Sequence, residues 1–384
     1  MLEVDPHARG AADGRDGLPP SERVSVPALC GVFADTTTSY KYVFLKSMLD
    51  VLEADGFQRA TVDLDRVYVE MLVNAWYPRR FFRLSFGVAD RLAGEADLID
   101  FEAGLDRGEQ AAGHREALRR QVRLHRPASY RALRYVQYRL LRPFFPELAG
   151  MPDGRVNRCI VELSRELFEE RKPFYCFTDD ATAIVMHHDW MLYFLSNLRV
   201  VRAFVCWEWL DYMQRRNPSV PNVAQKLFPP THRAPLNRQR EFWRSVMGLV
   251  DLRCIYTGAR LRCGDFSLDH FLPWSFVAHD QPWNLIPASP QVNSAKSDCL
   301  PSLDRYLRSF VDIQHAGLVA YRRVSTDREF AKVIEPYVAD LHLPDRNAVT
   351  DRTQLGRALE SCLGPLVTLA ASQGFQSDWE YDGR

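Results

Sequence analysis

The chain of 384 residues lacks the features that identify membrane and secreted proteins. Its best apolar stretch, residues 191–210, is interrupted by Asn197, Arg199, Arg202 and Glu208, so no apolar run is long enough to predict a membrane-spanning helix. None of its eight cysteines forms a CxxC pair, which is typical of a reduced intracellular protein rather than of a disulfide-linked one. Since the N-terminus also shows no charged-then-apolar signal segment, we expect a cytoplasmic protein without a membrane partner.

The sequence also carries no net charge and very little lysine. Its formal charge is zero, which argues against a protein that coats nucleic acid over its whole surface but permits a local basic site. Only six of the 49 basic residues are lysines. Two explanations of this arginine bias stay open: a GC-rich genome, and the use of guanidinium groups to bind phosphate. With 46% hydrophobic and 12% aromatic residues, the chain is not disordered as a whole.

Composition and periodicity divide the chain into four parts, with no internal repeat. Residues 1–22 are rich in glycine, proline, alanine and charge, and predict a disordered tail. Residues 23–240 predict a helical domain for nucleic-acid or partner recognition, 241–312 a small core with strands, and 313–384 a helical C-terminal segment. The best domain boundary is the proline-rich connector at 217–235. The predicted fold class is mainly α with a small α+β insert.

Helical periodicity is strongest in the N-terminal domain. Thr38 or Ser39 is a suitable N-cap for a helix that ends at Gly56. The apolar residues of this helix recur at helical spacing and predict a buried face, made of Tyr40, Phe44, Met48 and Leu52. Further helices are predicted at 64–76, 115–126, 129–141, 156–172 and 190–214.

An arginine-rich segment runs from His114 to Arg142 and holds nine arginines against one glutamate. Three tyrosines lie among them. Because guanidinium groups match phosphate oxygens and tyrosine rings can stack on bases, this segment is a candidate nucleic-acid surface. The alternative is a solvated helix pair whose arginines neutralise the acidic stretch just upstream. The residues predicted to contact phosphates are Arg119, Arg123, Arg131 and Arg134.

The segment from Ser267 to Pro301 collects short polar groups where a core element should be apolar. Extended pieces are predicted at 251–261, with a turn at Thr257-Gly258, at 266–272, where Pro273 ends the strand, and at 283–289. Ser289-Pro290 is a strong helix start. The pattern predicts a hairpin-like pair of extended segments followed by a short helix, with polar side chains converging between them.

The chemistry of these polar groups favours metal-assisted phosphodiester hydrolysis. An aspartate and an asparagine supply hard oxygen ligands, which can hold Mg²⁺ when waters and substrate phosphates complete its shell. A histidine beside them can accept a proton from an attacking water. Asn293 and Lys296 share one helix face, which puts a cation near the charge that develops on phosphate. A zinc site fits less well, because Cys254, Cys263 and Cys299 lack paired spacing.

The stretch "LDHFLPWSFVAHDQPWNLIPASPQVNSAKSDCLP" resembles the core of an HNH (ββα-metal) endonuclease. It is closest in pattern to the HNH domain of type II CRISPR effector nucleases. The preceding "CIYTG" is also typical of this branch, and "TTTSYKYVFLKSMLDVL" resembles the helical leader of stand-alone bacterial HNH proteins, some of which lie in phage-defence loci. The features that match are Asp269-His270, Pro273, Ser275, Asn284, Asn293, Lys296 and the ending at Pro301.

The resemblance implies a role for each of five residues. Asp269 and Asn293 would ligate one Mg²⁺ or Mn²⁺ per active site, and His270 would be the general base. Asn284 would fix the loop that aims His270, and Lys296 would assist at the phosphate. The third letter of the motif is asparagine rather than histidine, a variant that the family uses. Neighbours on a regular strand point to opposite faces, so a shared site predicts a local distortion at Asp269-His270.

The implied fold is a helical N-terminal domain, a ββα-metal HNH core and a helical C-terminal segment. The implied function is metal-dependent hydrolysis of duplex DNA, one strand per event, in a bacterial anti-phage system that supplies further subunits as partners. Two alternatives stay open. One is a catalytically silent DNA-binding subunit of a defence complex, and the other is a ribonuclease.

Overall fold

The computed structural model describes residues 17–101, 111–125, 135–229 and 233–383. The chain folds into two compact units that divide between Pro218 and Ser219, inside the predicted proline-rich connector. The described residues are mostly helical and form two small antiparallel sheets, which confirms the predicted mainly-α class with a small β component. None of the helices in these four ranges combines the length and apolar character that a membrane crossing needs.

The first unit is built on helices, with one three-stranded sheet of strand order β1-β3-β2. Both strand pairings in that sheet are antiparallel. Short π- and 3₁₀-helical turns connect some of the elements. In chain order the elements are α1 (Val26–Gly31), α2 (Tyr40–Ala54), β1 (Thr61–Asp63), α3 (Leu64–Trp76), α4 (Arg91–Asp97), α5 (Ala111–His125), α6 (Val136–Leu140), α7 (Asp153–Glu166), α8 (Phe168–Arg171), β2 (Tyr175–Phe177), β3 (Ala183–Met186) and α9 (His188–Arg216).

Helices α2 and α3 form the centre of the first unit, and both match their predicted positions. Helix α3 spans the predicted 64–76, and the Asp63 side chain caps it by accepting a hydrogen bond from the Asp65 N–H. Helix α2 begins after Ser39, and Phe44, Met48 and Leu52 of its predicted face are fully buried. The hydroxyl of Ser39 does not cap α2, and the backbone N–H of Ser39 donates to Asp90 at 2.6 Å.

The other predicted helices of this unit are present with changed limits. The predicted 156–172 helix is two helices, α7 and α8, and Lys172 then leaves the helix with a left-handed φ of 46°. The predicted 129–141 helix is described only from residue 135, where α6 begins at Val136. Of the predicted tail, residues 1–16 lie outside the described ranges, whereas Leu18 is buried and the carbonyl of Pro19 accepts a hydrogen bond from Tyr193.

The second unit wraps helices around a two-stranded antiparallel ribbon. One continuous apolar core includes residues from the ribbon and from the C-terminal helices. The predicted domain limit at 312/313 lies inside α14. The predicted small core and the C-terminal segment therefore share this helix. The elements are α10 (Val223–Leu227), α11 (Asn237–Met247), β4 (Ser267–His270), α12 (Trp274–Val277), β5 (Leu285–Ala288), α13 (Pro290–Lys296), α14 (Leu303–Val324), α15 (Asp327–Asp340) and α16 (Arg352–Ser372).

One local feature explains how two helices of the second unit pack, and another shows why the predicted strand at 251–261 does not form. A Cβ at Gly317 of α14 would lie 2.9 Å from the Trp243 ring, so glycine allows α11 and α14 to approach closely. The predicted 251–261 strand is a loop, held by isolated bridges between Arg253 and Arg260 and between Arg262 and Asp265. The predicted turn is present, with Gly258 at φ 70°, but too few residues pair to make a strand.

Candidate active site

The polar segment folds as a regular β4–β5 ribbon followed by α13, as its pattern predicts. Asp269 pairs with Ile286 and His270 with Leu285, and the ladder continues as the Phe271 N–H donates to the Asn284 carbonyl at 2.9 Å. The expected distortion at Asp269-His270 is therefore not found. Because consecutive side chains of a regular strand diverge, the two residues contact different partners.

Asp269 is buried, with 2% of its surface exposed, and both carboxylate oxygens accept hydrogen bonds. The Tyr256 hydroxyl donates to Oδ2 at 2.6 Å, and Lys296 Nζ lies 3.0 Å from Oδ1. Burial, and then the charge of Asp269, raise the pKa of Tyr256 well above its ordinary value. Tyr256 therefore keeps its proton and serves as a donor. Its ring packs against Tyr306 and Trp379, at 5.0 and 5.4 Å between centroids.

Lys296 is completely buried at the last residue of α13. Its ammonium donates to the Asp269 carboxylate and, at 2.6 Å, to the backbone carbonyl of His270. The helix that carries it begins as predicted, with Pro290 in its first turn and the Ser289 hydroxyl accepting from Val292 N–H. Lys296 thus ties α13 to β4, and Asn293, one turn earlier, is half-buried on the same helix face.

His270 is held by a carboxylate that the sequence analysis did not single out. Its Nε2 lies 2.7 Å from Asp280 Oδ1, and 10% of the His270 side chain is exposed. Arg233 also reaches Asp280 Oδ1, at 3.2 Å, and its guanidinium lies 4.0 Å from the centroid of the Trp274 ring. The backbone carbonyl of Asp280 accepts a further hydrogen bond from the Gln239 side chain.

The protonation states of this pair follow from its surroundings. Burial lowers the pKa of His270 below its ordinary value, although the hydrogen bond and charge of Asp280 oppose that shift. Burial would raise the pKa of Asp280, but His270 and Arg233 outweigh it and hold that pKa below the usual range. An ionised carboxylate only accepts hydrogen bonds, so Nε2 of a neutral His270 carries the proton. Nδ1 is then the basic nitrogen.

Asn284 clamps the chain just after His270. It is fully buried, its Oδ1 accepts from the Leu272 N–H at 2.8 Å, and its Nδ2 donates to the Leu272 carbonyl at 2.9 Å. Together with the bond from Phe271, these contacts fix the two residues that follow the histidine. The amide is satisfied by backbone on both sides, which suits a residue that shapes a loop.

The donor set fits a magnesium-like ion better than a zinc ion. Among the described residues, no group of three or more His, Cys, Asp or Glu side chains could hold a metal by itself. One carboxylate, Asp269, and one amide, Asn293, offer oxygen ligands of the type that Mg²⁺ and Mn²⁺ prefer, with water and phosphate supplying the rest. Each oxygen of Asp269 accepts one hydrogen bond and keeps a second lone pair.

The arginine segment lies in the first unit, and its described residues are partly used inside that unit. Arg119 forms an ion pair with Glu70, whose side chain is only 9% exposed. Arg123 is half exposed and lies 3.7 Å from Glu116. Arg131 and Arg134 lie outside the described residues. Arg119 is thus held by Glu70, which lies outside the acidic stretch just upstream, and phosphate contact by Arg119 and Arg123 stays a prediction.

Three residues of the candidate site were not predicted from the sequence to have a role there. Tyr256 lies within "CIYTG", where a polar tip in an apolar run is the only signal. Asp280 follows a histidine in the loop between the two strands, and nothing in its spacing marks it as the partner of His270. Arg233 is 37 residues before His270 in the chain, so only folding brings it to Asp280.

Comparison with known proteins agrees with this geometry. A family model described as HNH endonuclease matches residues 254–302, which contain the loop of Tyr256, the β4–β5 ribbon and α13. Searches of the curated proteins and of the solved structures give no match. The matched segment holds all five residues to which the resemblance assigned roles. Residues 254–302 are therefore an HNH-family domain within a longer, mostly helical chain.

Proposed function

We propose that this protein is a metal-dependent HNH endonuclease that hydrolyses phosphodiester bonds of duplex DNA and cuts one strand per event. One observation carries this proposal. His270 lies on the same strand as Asp269, and its Nε2 pairs with the ionised carboxylate of Asp280. A neutral histidine with a fixed tautomer is a suitable general base at neutral pH. Lys296 connects the two residues, because its ammonium donates both to the Asp269 carboxylate and to the backbone carbonyl of His270.

Each side chain has a separate task in this proposal. His270 Nδ1 accepts the proton of the attacking water, while Asp280 holds Nε2–H and stabilises the imidazolium that forms. Asp269 and Asn293 would hold a metal ion, which would supply Lewis-acid stabilisation of the phosphate charge. Asn284 keeps the chain after His270 in place through its two bonds to Leu272.

Lys296 is proposed to act mainly by orienting Asp269. Two of its three ammonium donors already reach Asp269 and the His270 carbonyl, and the side chain is completely buried. A direct contact between Lys296 and the scissile phosphate stays a prediction. The membership of an anti-phage system with partner subunits is likewise a prediction, based on the resemblance of the N-terminal helix.

The proposal is tested by incubating the purified protein with supercoiled plasmid, and separately with total RNA, in Mg²⁺, Mn²⁺ or EDTA. We expect plasmid cleavage with either metal and none in EDTA. Cleavage of RNA alone would identify a ribonuclease instead. Binding of plasmid without cleavage in any metal would identify a silent DNA-binding subunit.

A further inference from the structure

The first unit contains a cavity of about 340 Å³ in a region unrelated to the HNH domain. One wall is the loop before α2 and the first turn of that helix, which contribute Thr36, Thr37, Thr38 and Lys41. The other wall is α6 and the 3₁₀ turn that follows it, which contribute Arg139 and Arg142. The cavity thus joins the "TTTSYK" stretch to the end of the arginine-rich segment.

Three cations and one carboxylate line this cavity, and a second carboxylate pairs with two of the cations. Burial lowers the pKa of Lys41, and the charges of Arg142 and Arg139 add to that effect while Asp35 opposes it. Asp35 lines the same cavity. Asp153 pairs with Arg139 at 2.6 Å and with Arg142 at 3.4 Å, but its own side chain is 70% exposed. Because water screens an exposed carboxylate, Asp153 only partly neutralises the two arginines.

Several donors around the cavity are not fully used within the described residues. Arg139 Nε is buried there without a hydrogen-bond partner. Lys41 Nζ gives two of its three donors to the carbonyls of Val32 and Asp35. Helix α2 is 15 residues long and has neither a side-chain cap nor an acidic residue in its first turn. The carboxylate of Asp90 already accepts from the Ser39 N–H at this helix start, so the attraction of the cavity for an anion comes from Lys41, Arg139 and Arg142.

We propose that this cavity binds a terminal phosphate group. A volume of about 340 Å³ accommodates a phosphate and the sugar attached to it, at the small end of ligand sites. An internal phosphate of duplex DNA is flanked by its neighbours and does not fit inside a concave cavity, whereas a terminal monoester does. Arginine forks, a lysine and threonine hydroxyls are groups that bind phosphate oxygens. The terminal phosphate belongs to a free nucleotide or to the end of a nucleic acid.

Calorimetric titration of the full chain tests this inference. The probes are inorganic phosphate, 5′-AMP, and one twelve-base single strand with and without a 5′-phosphate. We expect saturable binding of inorganic phosphate that weakens at least tenfold in the double variant Arg139→Gln/Arg142→Gln. Arg158→Gln, an exposed arginine that does not line the cavity, should bind like the wild type. Tighter binding of 5′-AMP than of the phosphorylated strand indicates a free nucleotide, and the reverse indicates a nucleic-acid end.

A second variant separates binding from folding. Asp153→Asn keeps both arginines but removes the carboxylate that competes for them, so we expect phosphate to bind several-fold more tightly. A purely structural role of these ion pairs would give no gain. Absence of binding by all four probes, or equal binding in the double variant and the wild type, would overturn the proposal.

Discussion

His270 shows how a single side chain gains its chemistry from the residues around it. Burial and Asp280 act on its pKa in opposite directions, and the net result favours the neutral ring. Arg233 keeps Asp280 ionised from the other side. The properties of this proposed base therefore depend on three groups from three parts of the chain: the His270 ring, the Asp280 carboxylate and the Arg233 guanidinium.

We predict that His270→Ala abolishes cleavage while DNA affinity changes by no more than a few-fold. The base acts in the chemical step and contributes little to binding of the ground state. Plasmid nicking and gel-shift titration measure the two effects, with the exposed His188→Ala as a matched control. Asp280→Asn should lower the activity by up to about 10⁴-fold, the upper range of a general base's contribution, because it removes the negative charge that stabilises the His270 imidazolium. A parallel collapse of DNA binding in His270→Ala would show that the residue is structural.

Metal binding is predicted to depend on Asn293 and Asp269. Asn293→Ala should lose activity with little loss of stability, because the side chain is half-buried. Asp269→Ala should lose both, since it leaves the buried Lys296 unpaired, which costs about 3–5 kcal/mol. Activity in Mg²⁺, Mn²⁺ and Zn²⁺ with thermal unfolding measures these effects, and we expect Mn²⁺ but not Zn²⁺ to replace Mg²⁺. Full activity in EDTA would exclude the metal mechanism.

At the scale of elements, helix α10 places a buried lysine against α12, the short helix that follows strand β4. Lys226 is completely buried, its ammonium lies 5.2 Å from the centroid of the Phe276 ring, and it has no hydrogen-bond partner among the described residues. Burial lowers its pKa from 10.5 to about 7. Each unit of such a shift corresponds to about 1.4 kcal/mol, so burial strongly disfavours the charged form, and the charged and neutral forms are about equally populated in the folded protein near pH 7.

This element is predicted to make stability depend on pH. Between about pH 7 and 10.5 the unfolded chain binds more protons at Lys226 than the folded chain does, so the free energy of unfolding should rise with pH in that window. Below pH 7 both states are protonated and the full cost of the buried charge applies. Lys226→Met should raise the melting temperature at pH 7 and flatten the dependence, whereas the exposed Lys332→Met should not. A wild-type melting temperature that stays constant from pH 7 to 10 would contradict this assignment.

Helix α5 carries two arginines with different expected effects. Arg123→Gln should keep stability and lower the salt slope of DNA binding by about one unit if Arg123 contacts a phosphate. Arg119→Gln should instead lower stability, since it removes an ion pair from the nearly buried Glu70. Affinity measured at several salt concentrations and thermal unfolding distinguish the two. An unchanged salt slope in Arg123→Gln would assign Arg123 to a solvated surface.

At the scale of the whole molecule, the number of active sites determines the product. In the proposed mechanism, one HNH domain would present one base and one metal site to one scissile phosphate. The two strands of a duplex are antiparallel, so cutting the second strand requires release and rebinding, or a second site related by two-fold symmetry.

We therefore predict that a monomer first converts supercoiled plasmid to open circles, and that linear DNA follows only as nicks accumulate on opposite strands. A gel time course at low enzyme concentration measures the order of the two products. Linear DNA that rises from the first time point without an open-circle lag would indicate a paired active site.

Local signals in the sequence determined much of this protein. The predicted limits of α3, the start of α13 after Ser289, and the ribbon followed by a helix are all found, because caps, proline and periodicity act within a few residues. The match of residues 254–302 to the HNH family agrees with the motif. The residues of the motif lie along a single ribbon and helix, so their spacing is visible in the sequence.

Tertiary structure alone decided which side chains surround the residues of the motif. Asp280 meets His270 and Arg233, Tyr256 meets Asp269, and Arg119 meets Glu70, across separations from 10 to 49 residues that no local pattern records. The three-residue and four-residue strands of the first unit were equally invisible, because so few residues show no period. A buried charge needs a partner wherever the fold can supply one, so the identity of that partner depends on the packing of the whole unit.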